Sequence, residues 1–337
     1  MAENHALDVV DQDDLDTLEA LEALGEEQGY FESLGPRHAA VFAEDGPVLI
    51  VTFESLAAIR ARPGHRPLGL DIAEAKGWSC LCLIAVREGW YRDPAVYGFF
   101  DRQADDAFFE DFDRVVFWGA GRGGYAAGAF SVTAPGATVV MAAPQATLDP
   151  RVAGWDERFR GERRQAFTDR YGFAPEMVEG AGPVFVLYDP REREDAMHAA
   201  LFARNFTTLL PCRGIGPDPA AALAEMEVLG PVLVAAGEGR LTPALFWRLY
   251  RARRRYMPYL RRLGQRLETD RRMRLVGLLY RAAFRTTGSR RFRRWSQQIA
   301  EDLADRGQPL PDVPDSVTAS DAAADAAEDA GTARQAG

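Results

Sequence analysis

"VVFWGAGRGGYAAGAF", Val115 to Phe130, joins four bulky apolar residues to a cluster of glycines and then to a run of small side chains. That order predicts a buried strand, a tight turn and the start of a closely packed helix. Two active-site devices share the layout. Gly119, Gly121 and Gly124 fit the G-x-G-x-x-G turn that cradles a dinucleotide pyrophosphate. Gly119-Ala120-Gly121-Arg122-Gly123 equally fits the G-x-S-x-G turn that presents a nucleophile, with glycine where the serine belongs.

The surroundings separate the two. A dinucleotide turn follows the first strand of its unit, and an Asp or Glu about 20 residues on takes the ribose hydroxyl. Here three strand-like segments, "HAAVFA" (38–43), "PVLIVTF" (47–53) and "SCLCLIAV" (79–86), precede the turn. The next strand-like segment, "ATVVMAA" (137–143), runs into Pro144 and Gln145 without a carboxylate. "PVFVLYD" (183–189) and "FTTLLPC" (206–212) follow, with helix-like stretches such as "DPAVYGFFDRQADDAFFEDF" and "EREDAMHAALFAR" in between. From 79 onward the strand-like segments are apolar over nearly their whole length, as strands buried on both faces are. The alternation predicts an α/β fold: a doubly wound, mostly parallel sheet over 31–240.

"WGAGRGGYAAGAF" followed by "VVMAAPQ", with "PVLIVTFES" upstream, resembles the GxSxGGYAA-type elbow of bacterial α/β-hydrolase-like proteins associated with polysaccharide and cell-surface biosynthesis. The resemblance covers roughly residues 30–240 and implies an α/β-hydrolase-like sheet. Carried over residue by residue, it sets the nucleophile position on Gly121 and the triad acid on Asp189, or on Asp195. The base is expected in "LPCRGIGPDP" (210–219), which holds Cys212, Arg213 and Asp218 but no histidine. Two of three triad members are therefore absent. Loss of the nucleophile alone costs about 10⁶ in turnover in such enzymes. The expectation is a non-catalytic protein with a binding or scaffold role, linked through the resemblance to surface-polysaccharide or secretion processes. The remaining corner, Gly119, Gly121, Arg122, Gly123 and Gly124, offers the free N–H groups of a helix N-terminus beside an arginine, a pocket for a small anionic ligand. No cofactor and no metal are expected.

The other histidines provide no replacement base. His5 stands in an acidic leader, His38 opens a strand, and His65 sits in the turn "RPGHRPLG". His198 lies three residues after Asp195, a spacing that reads as a pair on a solvated helix surface. Cys80 and Cys82 read as small buried residues. The competing reading is an active enzyme: a hydrolase with an unrecognised nucleophile, or a nucleotide-dependent oxidoreductase that is dinucleotide-binding or of the phosphoadenosine phosphosulfate reductase type. The last chemistry needs a C-terminal nucleophilic cysteine and a lysine-bearing phosphate loop. No cysteine follows Cys212, and the single lysine, Lys76, stands in "EAKGWSC".

The chain has 337 residues, 47% of them hydrophobic and 27% charged, as in ordinary globular proteins. No apolar run approaches the roughly 20 residues that span a bilayer, and the acidic start lacks a signal-peptide pattern, so a cytoplasmic location is expected. Residues 1–30 predict an acidic amphipathic helix, and 241–306 a basic helical extension that starts at Thr242-Pro243. Residues 307–337, poor in large apolar side chains, predict a disordered tail. Between Arg248 and Arg294 stand 17 arginines against two acids, Glu268 and Asp270, in a chain of net charge −10. Such a segment can dock on the chain's own acidic body or an acidic partner, or bind nucleic acid or an anionic membrane.

Overall fold

The computed structural model describes residues 12–311. The first eleven residues of the expected N-terminal helix and all of the expected tail from 312 on lie outside them. The remainder divides into two compact units, which meet in sequence at Arg253 and Arg254.

The first unit is built on one eight-stranded sheet. Its strands are β1 (Gly29–Ser33), β2 (His38–Ala43), β3 (Val48–Ser55), β4 (Ser79–Ala85), β5 (Arg114–Ala120), β6 (Thr138–Ala142), β7 (Val184–Tyr188) and β8 (Thr207–Pro211). They lie in the order β1-β2-β4-β3-β5-β6-β7-β8. β2 runs antiparallel to both neighbours, and every other pairing is parallel. Successive side chains of a strand point to opposite faces. Leu49, Val51, Phe53, Phe117, Val139 and Met141 fill one continuous core, while Ile50, Val116 and Val140 are equally buried on the other face. Burial on both sides is why these strands are apolar end to end.

Helices supply that cover. After α1 (Gln12–Gln28), α2 (Leu56–Arg60) and α3 (Leu68–Lys76) lead from β3 to β4, and α4 (Pro94–Asp105) leads from β4 to β5. Asp93 caps α4 by accepting from Ala95 N, and Pro94 occupies its first turn. α5 (Arg122–Phe130) buries Tyr125, Ala126, Ala127 and Phe130 in the first core. There Phe130 stacks on Phe100 with ring centroids 4.3 Å apart and on Phe53 at 5.9 Å. Short helices α6 (Pro150–Ala153) and α7 (Ala174–Met177) lie between β6 and β7, and α8 (Arg193–Leu201) between β7 and β8. α9 (Pro219–Glu225), α10 (Leu229–Gly237) and α11 (Pro243–Leu249) follow the sheet.

Two expectations shift. The acidic helix ends at Gln28, and residues 29–33 form an edge strand that pairs with β2, Tyr30 lying against Phe42 at 5.2 Å. α11 starts at Pro243 with Thr242 as its cap, as expected, but it groups with the first unit and not with the basic extension. Phe246 and Tyr250 are buried there, which moves the boundary from 240 to 253.

The second unit contains α12 (Met257–Thr269), α13 (Met273–Thr287) and α14 (Arg290–Asp305). Leu260, Val276, Tyr280, Phe292, Ile299 and Leu303 form its core. No single helix among the described residues is long and apolar enough to cross a membrane.

Candidate functional site

Parallel pairing sets Phe53 of β3 beside Gly119 of β5, and Thr52 beside Trp118. β3 is also where the order of strands reverses: β4 adds on one side and β5 on the other. Crevices at the carboxyl ends of strands flanking such a reversal are where open α/β sheets bind ligands. A cleft of about 620 Å³ lies there, lined by Phe53, Glu54, Ser55, Tyr91, Trp118 and Arg122 among others.

The turn from β5 into α5 is unusually tight. A Cβ on Gly119 would come within 2.0 Å of the Gly123 carbonyl oxygen, and one on Gly123 within 2.4 Å of the Phe53 carbonyl oxygen. Gly124 fits against Pro144, where a Cβ would stand 3.2 Å away. Packing alone therefore demands glycine at 119 and 123. Gly121 is different. Its φ of 53° and ψ of −118° are strained for any L side chain, yet a Cβ there would meet nothing within 4 Å. Backbone hydrogen bonds hold the conformation: Gly121 N donates to Ala142 O at 2.9 Å, and Gly121 O accepts from Tyr125 N at 2.9 Å. The corner thus keeps a strained strand-to-helix turn with open space where a side chain would project.

The other two triad positions are committed elsewhere. Asp189 follows β7, is almost fully buried, and accepts from Arg191 N at 3.1 Å and Gly216 N at 2.9 Å. Gly216 belongs to the very loop in which the base was expected, so a backbone N–H takes the carboxylate that would orient an imidazole. In that loop Asp218 caps α9 by accepting from Ala221 N. Cys212 is buried, and burial pushes its thiol pKa far up.

The surface-pair reading of Asp195 and His198 is corrected. Both are buried, 3% and 0% exposed, and they do not bond to each other. His198 Nδ1 accepts from Ala146 N at 3.1 Å, which requires the proton on Nε2, 3.0 Å from Asp156 Oδ2. Asp195 accepts from Arg158 at 2.7 Å, and Arg158 forks onto Asp156 as well. Burial disfavours the charge on Asp156, but hydrogen bonds from His198 and Arg158 outweigh it and hold its pKa below the ordinary range. For Asp195 burial wins, and the pKa is raised. With both ring nitrogens engaged inside the protein, His198 is a structural residue and not a base for the cleft.

Arg122, the other half of the expected anion pocket, donates to Glu88 at 2.5 Å and to Glu162 at 2.7 Å. Its guanidinium also lies over the Trp90 and Phe159 rings, 5.5 Å from each centroid. Two carboxylates neutralise the charge that was to attract an anion.

Glu54 was not singled out from sequence. It is the penultimate residue of β3, lines the cleft, and accepts from Leu68 N at 3.0 Å and Gly69 N at 3.3 Å, at the start of α3, and from Thr52 Oγ1 at 2.8 Å. Burial raises its pKa against those bonds. Only its place after the apolar run "VLIVTF" marked it, a carboxylate at the end of a buried strand. Ser55 beside it accepts from Ala58 N as the cap of α2.

His38 and His65 do not line the cleft, and His5 lies outside the described residues. Cys80 and Cys82 are buried, with thiols raised by burial. Among the described residues no cluster of three or more His, Cys, Asp or Glu is placed to hold a metal. The glycine corner follows the fifth strand, and β6 ends at Ala142 without a carboxylate, so the dinucleotide pattern stays incomplete.

No protein-family model and no curated protein matches the chain. Solved structures similar to it include an esterase from Pyrobaculum calidifontis, with 13% identity over 69% of this chain and 94% of that one, at a TM-score of 0.44. The capsule O-acetyltransferase of Neisseria meningitidis serogroup A matches with 11% identity over 60% and 92% of the two chains, at a TM-score of 0.39. The strand order, the single reversed strand and the sharp turn after β5 are those of an α/β-hydrolase-like sheet. The fold is α/β-hydrolase-like.

Proposed function

We propose that the chain is a non-catalytic α/β-hydrolase-like protein, and that the cleft above the glycine corner binds a small ligand without turning it over. The observation that carries this reading is Gly121: a strained elbow conformation with free space at Cβ and no side chain to attack from it. The buried carboxylate of Asp189, bonded to Gly216 N and not to an imidazole, supports it. A net anionic ligand is disfavoured, because Arg122 is balanced by Glu88 and Glu162. The fit is better for a neutral, partly apolar molecule lying between Phe53, Tyr91 and Trp118.

Hydrolysis of p-nitrophenyl acetate and butyrate by the natural protein should equal that of Gly121→Ala and stay at background. Ligand-observed NMR with a panel of neutral aromatic and ester fragments should find binders that Ala58→Trp, which fills the mouth of the cleft, no longer holds. Turnover abolished by Ala58→Trp would overturn the non-catalytic reading. Fragment binding that is unchanged in Ala58→Trp would remove the cleft as the site.

A further inference from the structure

The second unit separates its charges along its length. Between residues 254 and 311 stand fifteen arginines and five acids, a net of +10. α13 and α14 form a hairpin closed at Gly288 and Ser289: the Tyr280 and Phe292 rings meet at 5.4 Å, and Ser296 Oγ donates to Gly277 O at 3.4 Å. α12 returns against α13, and Tyr280 Oη donates to Glu268 at 3.0 Å. Antiparallel packing brings the start of α12, the end of α13 and the start of α14 to one pole. The segments that meet there, 254–262 and 281–294, hold ten arginines and no carboxylate of their own. All five acids, Glu268, Asp270, Glu301, Asp302 and Asp305, fall toward the other end.

Arg285, Arg290, Arg291 and Arg294 are exposed at this pole. Arg290 and Arg291 also open α14, whose first turn has no acid and whose cap residue Ser289 makes no side-chain cap. A helix N-terminus favours negative charge, and these arginines stand beside it. The apolar residues of the pole are turned inward: Phe292 and Ala283 are buried in the unit's core. Leu275, the one exposed large apolar residue of this unit among those described, lies toward the opposite end. A bilayer-surface helix presents an apolar face beside its basic one, and this pole has none. The guanidinium fork suits phosphate oxygens, and a polymer with a phosphate at every residue supplies many at once.

We propose that this pole binds the phosphodiester backbone of nucleic acid without reading its sequence. The chain's net charge is −10, but residues 254–311 carry +10 of their own. The test titrates the full chain into a fluorescein-labelled oligouridine and follows anisotropy. For four or five phosphate contacts, affinity should fall about 50- to 130-fold between roughly 50 and 200 mM KCl. R285Q/R290Q/R291Q/R294Q should weaken binding at least tenfold and reduce the slope of log affinity against log salt by about 3. The corresponding four-lysine variant should retain binding, and circular dichroism should show both variants folded. No binding by the natural protein at low salt would overturn the proposal. Undiminished binding by the glutamine variant would overturn it too, as would capture by phosphatidylserine vesicles at a salt concentration where oligouridine is released.

Discussion

Gly121 and its flanking glycines meet different demands, and mutation separates them. Gly119→Ala pushes a methyl into the Gly123 carbonyl, an overlap that neighbouring backbone cannot relieve. Its expected cost is about 3 kcal/mol in urea melts, near the upper end for overpacking. Gly121→Ala meets no atoms and bears only the backbone cost of a φ of 53° with a ψ of −118°, about 2 kcal/mol. Equal costs would show that the corner has another shape. Gly121→Cys adds a thiol in open space, whereas Cys80, Cys82 and Cys212 are buried with raised pKa values. One thiol per chain should then react with 5,5′-dithiobis(2-nitrobenzoate) under native conditions, and none in the natural protein.

At the scale of elements, buried ionisable groups tie distant segments together and make stability depend on pH. His38 on β2 is buried against Tyr91 at 5.3 Å with neither ring nitrogen hydrogen-bonded, and burial pushes its pKa down to about 4. The unfolded chain, with an ordinary value near 6.5, binds more protons in between. Stability from this residue is therefore fully present above about 6.5 and is lost as pH falls toward 4, by about 3 kcal/mol. His38→Leu should remove that slope from denaturation curves measured across the window; an unchanged slope would assign it elsewhere. Asp156→Asn should cost about 3 kcal/mol, because it breaks a buried pair with Arg158 and the bond to His198. The strands were legible because burial on both faces writes itself as unbroken apolar runs. β1 was not: "GYFES" is short, half-exposed, and continues directly from a helix. The glycine corner was legible because close backbone approach leaves only one residue type. The partners of Arg122 and His198 were not, since Glu88, Glu162 and Asp156 stand 34, 40 and 42 residues away. Local spacing paired His198 with Asp195 instead.

The molecule as a whole combines an acidic sheet unit with a basic helical unit that has its own small core. Small cores lose stability steeply on truncation. Phe292→Ala in the full chain should raise amide exchange throughout 254–311 by the equivalent of about 3–5 kcal/mol, while β3 to β7 keep their protection. Loss of protection in both would mean that the two units unfold as one. The central claim about this molecule, that its sheet presents an elbow with nothing to attack from it, is tested most directly by intact-mass spectrometry after incubation with a fluorophosphonate. The natural chain should gain no adduct, and Gly121→Ser should gain a single one at residue 121, formed slowly because Asp189 orients no imidazole. A stoichiometric adduct on the natural chain would contradict the claim.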